Sequence, residues 1–259
     1  MSDIIFTKEN GIGTITLNRP KTKNSFTYQM LEEYTEIVEK WRNDDDIAIV
    51  VLTGAEGDFC SGVDIAGSEL KSGPFAMKKL LWNKIQRLPI VLDNFDKPVI
   101  AAMKGVAVGA GLDIALMCDM RFAAENARFS EGYVKVGLVP GEGGAYYLPR
   151  LVGISKALEL LLTGDYISAQ EALRIGMVNR VYPENQLMDE TYKFARKLAD
   201  GPRDVHRIIK RATYQSIRID LRTALDMISS HQGVIRESQD SKDAHQAMLK
   251  KLAEKTKKK

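Results

Sequence analysis

Two stretches of the 259-residue chain, "IAIVVLTGAEG" and "KPVIAAMKGVAVGAG", limit its possible folds more than any other feature. Each contains an apolar run rich in Val, Ile and Ala that closes on glycine. A strand with one face in solvent alternates apolar and polar residues, whereas a continuous run marks a strand covered on both faces. Such strands belong to parallel sheets with helices packed against them. The helices are legible between them. "TYQMLEEYTEIVEKWRND" sets Met30, Leu31, Tyr34, Ile37, Val38 and Trp41 at helical spacing, and "GLDIALMCDM" reads as a helix entered from glycine. "GIGTITLNRP" is a further strand that runs into a loop at Pro20. The alternation predicts an α/β architecture with crossover helices. From about residue 155 the pieces are mainly helical, among them "SKALELLLTG", "SAQEALRIG" and "NQLMDETYKFARKLADG". The expected organisation is a core over residues 1–195 and a C-terminal helical extension over 196–259.

Composition narrows the function classes. The net charge of +3 is small, and much of the excess lies in the terminal "KKLAEKTKKK", which reads as a solvated helix end. No nucleic-acid or membrane partner is expected. No apolar run approaches the ~20 residues of a bilayer span, and "MSDIIFTKEN" lacks a secretory pattern. Cys60 and Cys118 form no CxxC pair, and His206, His231 and His245 are scattered. Free thiols, a cytoplasmic setting and no metal site are the expectation.

Two segments, "GDFCSGVDIAG" and "GVAVGAGLDIAL", place glycine after a buried strand and before an expected helix. A helix start presents unpaired N–H groups and partial positive charge. Two such donors aimed at one point can hold an oxygen on which charge develops. Each segment alone also reads as an ordinary strand–helix turn. No GxGxxG follows the first strand, so "GAG" is not a dinucleotide fingerprint.

Taken in order, "ITLNRPKTKNS", "GDFCSGVDI", "KPVIAAMKGVAVGAGLDIALMCDMRFAAENARFS", "VGLVPGEGGAYYLPRLVG" and "TGDYISAQEALRIGMVNRVYP" resemble the successive motifs of the crotonase, or enoyl-CoA hydratase/isomerase, superfamily. The resemblance implies a spiral of ββα turns with C-terminal helices that assemble a homotrimer or a dimer of trimers. It implies acyl-CoA substrates, with coenzyme A entering as part of the thioester and no separate cofactor. The oxyanion-hole donors would be the N–H groups of Val63 and Ala110, and coenzyme A would be contacted near Lys21 and Ser25 and along Asp64 and Ile65.

Departures from the family pattern carry the specific expectations. Hydratases of this family use two glutamates. The first falls at Asp113, whose side chain is one methylene shorter, a reach reduced by roughly 1.5 Å. The second falls at Tyr133, a hydrogen-bond donor but a poor base at neutral pH. Glu142, within "PGEGG", stands where family hydratases carry a small residue. It reads either as a partly desolvated acid/base or as a turn carboxylate facing solvent or pairing with Arg150. Glu131 lies two residues before the Tyr133 slot, where strand alternation would turn both the same way. A surface position or an ion pair is expected for it.

Other candidates are weaker. Cys60 and Ser61 adjoin the donor segment but lack a nucleophile elbow or nearby histidine, so packing is expected of Cys60. Tyr146 and Tyr147 read as pocket or core aromatics, and the helix around Trp82 as core packing or an acyl-pocket cover. The expected activity is hydration of an α,β-unsaturated, conjugated or cyclic enoyl-CoA, with Asp113, Glu142 and Tyr133 as the catalytic set. Double-bond isomerisation, or a silent CoA- or RNA-binding scaffold, is the alternative.

Overall fold

The computed structural model describes residues 2–64 and 73–257. The chain opens with β1 (Ile4–Glu9) and β2 (Ile12–Leu17), followed by α1 (Tyr28–Arg42) and β3 (Ile49–Gly54). Thr27 caps α1 by accepting from the Met30 N–H at 3.2 Å. The helices α2 (Pro74–Leu80) and α3 (Arg87–Asp93) flank a π-helical turn and lead into β4 (Val99–Met103) and β5 (Val106–Val108). Next come α4 (Ala110–Leu116), β6 (Met120–Ala124) and β7 (Arg128–Ser130). The elements α5 (Gly144–Val152), α6 (Ile154–Thr163), β8 (Ile167–Ser168), α7 (Ala169–Arg174) and β9 (Arg180–Tyr182) complete the sheets. The helix α8 (Leu187–Ala199) runs across position 195, and α9 (Arg203–Ser216), α10 (Leu221–Ile235) and α11 (Gln239–Lys257) end the chain.

A six-stranded sheet has the order β1-β2-β3-β4-β6-β9, antiparallel at β1/β2 and parallel thereafter. A three-stranded sheet, β5-β7-β8, pairs β5 parallel and β8 antiparallel to β7. The continuous apolar run of β3 is explained by its two faces. Val50 and Leu52 join the main core with Met103, Ala107 and Phe129, while Ile49 and Val51 pack with Ile100, Phe122 and the Leu187 and Ala195 side chains of α8. Burial of a Val or Leu side chain stabilises by about 1.5–3 kcal/mol, so both faces reward the apolar sequence.

One local expectation differs from the structure and another falls outside the described residues. The segment Gly62–Asp64 is not itself helical, and the helix expected after "GDFCSGVDIAG" would lie on residues that are not described. The Phe26 N–H donates to the Gly62 carbonyl and the Asp64 N–H to the Phe26 carbonyl, both at 2.9 Å, which holds Val63 in a parallel bridge to Phe26. Ile65 lies outside the described residues. Tyr133 is not on a strand either. The strand β7 stops at Ser130, and Gly132–Val136 form a 3-10 turn, so turn geometry rather than strand alternation aims Tyr133.

Candidate active site

Main-chain geometry comes first. Cys60 bridges Ala107 of β5 through two hydrogen bonds of 3.0 Å, Cys60 N–H to the Val106 carbonyl and Val108 N–H to the Cys60 carbonyl. This stitches the "CSGV" segment to the strand that feeds α4. Gly62 (φ +100°) and Gly109 (φ +51°) both occupy the region that side chains disfavour. A Cβ on Gly62 would sit 3.0 Å from the Val108 carbonyl oxygen and 3.8 Å from the Ala110 nitrogen, so the two segments lie nearly in contact. Ala110 is the first residue of α4, where an N–H has no partner within the helix. Neither its N–H nor that of Val63 meets a backbone acceptor among the described residues. Both residues line a cavity of about 270 Å³ whose other walls include Val136, Leu138 and Tyr133.

Behind this cavity lies a cluster of acids. Asp113 of α4 is fully buried, and Glu131 and Glu142 are 1% and 3% exposed. The two sequence-level alternatives for these glutamates therefore fail. Glu142 faces neither solvent nor Arg150, whose guanidinium instead stacks on the Tyr146 ring and donates to the Tyr146 carbonyl at 2.6 Å. Glu131 is neither a surface residue nor ion-paired: it is buried, and both its carboxyl oxygens lack a conventional donor. The chain turns inward after β7, which carries Glu131 under α4 and α5.

Tyr133 joins the cluster to the cavity. Its hydroxyl lies 2.7 Å from Oδ2 of Asp113 and 2.6 Å from Oε2 of Glu142. One hydroxyl hydrogen serves one acceptor in a linear bond, so the other contact needs a proton on a carboxyl. Burial, then the charge of Glu142, raises Asp113 to about 7 against the opposing Tyr133 hydrogen bond. Burial likewise raises Glu142, again against Tyr133. The Tyr133 phenol is pushed far up by burial and by both carboxyls, so it remains protonated. Such a set can hold a proton near neutrality and pass it along.

Gly144, which sequence reasoning did not single out, makes the packing feasible. A Cβ there would sit 2.2 Å from Oδ1 of Asp113 and 3.0 Å from each Glu131 oxygen. The glycine run "GEGG" was the available signal, since close approach to backbone demands a missing side chain.

Of the residues expected to contact coenzyme A, Lys21, Ser25 and Asp64 are described, and Ser25 and Asp64 adjoin the Phe26–Val63 bridge. Lys21 is exposed on the 3-10 turn Pro20–Thr22. Ser25 is buried, and Arg19 spans it and Asp64: the guanidinium donates to the Ser25 carbonyl at 2.8 Å and to Asp64 Oδ2 at 2.7 Å. Arg19 was missed, although "NRP" ahead of Lys21 hinted at a cation on that turn. Cys60 is buried with its thiol raised to about 12 by burial, which fits packing rather than nucleophilic chemistry. Trp82 is 63% exposed, so it is not a core residue; Leu80 and Ile85 fill that role. Tyr147 stacks edge-on against Tyr146, with ring centroids 5.1 Å apart.

Similarity to known proteins identifies the fold and the family. The fold is the crotonase fold, an α/β structure with two sheets and C-terminal helices. It superposes on an enoyl-CoA hydratase from Bacillus anthracis with a TM-score of 0.90 and 32% identity, covering 96% of this chain and 97% of that one. Residues 7–259 match the model of the enoyl-CoA hydratase/isomerase family. The chain is 37% identical to the short-chain-enoyl-CoA hydratase of Clostridium acetobutylicum, over 97% of its own length and 96% of the relative's. It is 35% identical to the 1,2-epoxyphenylacetyl-CoA isomerase of Escherichia coli K12, over 97% of each. The protein belongs to the enoyl-CoA hydratase/isomerase family. No helix among the described residues is long and apolar enough to cross a membrane.

Proposed function

We propose that the protein adds water reversibly to an α,β-unsaturated acyl-CoA, with a conjugated or cyclic acyl group as the preferred class. The observation that carries this is the Asp113–Tyr133–Glu142 chain, bonded at 2.7 and 2.6 Å and set beside a cavity walled by Val63 and Ala110. The Val63 and Ala110 N–H groups take the thioester oxygen and draw electron density from the conjugated double bond. Water attacks the β-carbon, and its proton passes by way of the Tyr133 hydroxyl to Glu142 or Asp113. The electron pair of the double bond moves onto the thioester as an enolate, and a proton returns to the α-carbon through Tyr133. Of these acid/base groups only Tyr133 lines the cavity, so it is the donor nearest the substrate.

Arg19 braces Ser25 and Asp64 beside Val63, and Lys21 supplies a point charge for the nucleotide phosphates. Ile217, Leu221, Leu225 and Val234 expose apolar surface around α9 and α10, which supports assembly as a trimer or a dimer of trimers.

Isomerisation is the second reading, favoured by the same chain because it can accept a proton from one carbon and return it to another. Enoyl-CoA incubated in ¹⁸O-water and, in parallel, in D₂O decides between them. Label in the product supports hydration, and solvent deuterium without label supports isomerisation. If the Asp113→Asn and Glu142→Gln variants both turn over at the wild-type rate, the acid/base assignment is wrong.

A further inference from the structure

We propose that Glu131 is a positioning residue whose protonated carboxyl donates to Oδ1 of Asp113 and thereby sets how many protons the Asp113–Tyr133–Glu142 chain holds. The inference rests on Asp113 and Glu142 being the acid/base pair.

Three orphaned atoms point to it. Both oxygens of Glu131 and Oδ1 of Asp113 are buried and have no conventional donor. An ionised Glu131 would leave all its acceptor sites empty in a dry interior, beside another carboxyl. A single proton on Glu131 removes its charge, and the O–H then donates to Oδ1 of Asp113, which leaves one neutral carbonyl oxygen in place of an unpartnered carboxylate. On another side Glu131 borders a void of only about 10 Å³, lined mainly by apolar side chains such as Leu112, Phe129, Leu148, Leu160 and Met177, with Ser130 and Asp165 also on its wall. Burial, followed by the Asp113 charge, accordingly raises Glu131 to about 10.

Counting hydrogens gives the state of the whole cluster. The contacts Glu131–Asp113, Asp113–Tyr133 and Tyr133–Glu142 need three hydrogens, and the phenol supplies one. Two more reside on carboxyls, so three acids share one negative charge. With Oδ1 of Asp113 occupied, Oδ2 is the remaining oxygen for proton traffic, and it leads through Tyr133 to the cavity. Donation to Asp113 also favours its ionised form. The titratable groups around this pair are Tyr133 and Glu142 from the loop, Tyr147 from α5 and Asp165 after α6.

The test pairs Glu131→Gln, which keeps a neutral donor, with Glu131→Leu, which removes it. Infrared spectra of the resting protein at neutral pH should show a protonated-carboxyl band that Glu131→Gln diminishes. For turnover, Glu131→Gln should stay within a few-fold of wild type. Glu131→Leu should lose roughly ten- to a hundredfold in kcat with KM little changed, as expected when a buried acceptor is orphaned. Its acidic limb in the pH–rate profile should rise by about one pH unit. An unchanged infrared band overturns the proposal, as does a Leu variant whose kcat and pH profile match wild type. If no enoyl thioester turns over but the band diminishes, the protonated Glu131 stands and the proposed function fails. The Gln variant and the infrared readout decide the matter even if the Leu variant does not fold.

Discussion

Replacing Glu131 by glutamine should make the protein progressively more stable than wild type as pH rises. Burial raises Glu131 from an ordinary value of 4.5 to about 10 in the fold. Between those values the folded protein holds a proton that the unfolded chain has released. Stability conferred by that group is complete below the unfolded value and falls as pH climbs toward the folded one. The slope for one excess proton is about 1.4 kcal/mol per pH unit. Between pH 6 and pH 9 the wild type therefore loses about 4 kcal/mol that the Gln variant keeps. Asp113 and Glu142 titrate in both proteins, so their contributions largely cancel in the difference. Urea unfolding followed through Trp41, which is 2% exposed, measures the gap at each pH, with protein concentration held constant. Parallel stability curves for the two proteins would show that Glu131 is already ionised in the fold, and the proton count would collapse with it.

Tyr133→Phe cuts both short hydrogen bonds, and kcat should fall by roughly a hundredfold; steady-state kinetics with an unchanged kcat would remove Tyr133 from the relay. Gly144→Ala drives a methyl group into Oδ1 of Asp113, so kcat should drop on the order of a hundredfold while coenzyme A binding, read by calorimetry, stays near wild type. Arg19→Met removes the brace between Ser25 and Asp64, and KM should rise on the order of tenfold with kcat retained.

The large elements were legible because burial leaves periodic traces. The helix α1 shows its core face at Met30, Leu31, Tyr34 and Val38, and β3 shows two covered faces as one apolar run. Gly62 and Gly109 announced the tight approach of two main-chain segments, the first immediately ahead of the Val63 bridge to Phe26. The acids were harder to read. Glu131 looks like a surface residue from its neighbours, because what buries it is α5 and the end of α6, distant in sequence. Arg19 showed only as a cation in "NRP", because its partners Ser25 and Asp64 meet only after β2 and the Gly62 loop are brought together. Local pattern encodes the coverage that repeats along one element, whereas coverage by distant elements and partnership are decided by topology.

The contact between Gly111 and Cys60 has a consequence for how such a site can diversify. A Cβ on Gly111 would meet the Cys60 carbonyl oxygen at 2.4 Å and its sulfur at 2.8 Å. The start of α4 is thus wedged against the segment that carries Val63, and the two N–H groups form one rigid caliper. A substitution that shifts one jaw shifts or unseats the other. The acid cluster around Gly144 draws on separate stretches of chain, with Asp113 from α4, Glu131 and Tyr133 from the turn after β7, and Glu142 from the loop before α5. New reactions on this scaffold are therefore most accessible by exchanging the proton-bearing residues at 113, 131, 133 and 142 while the caliper stays closed.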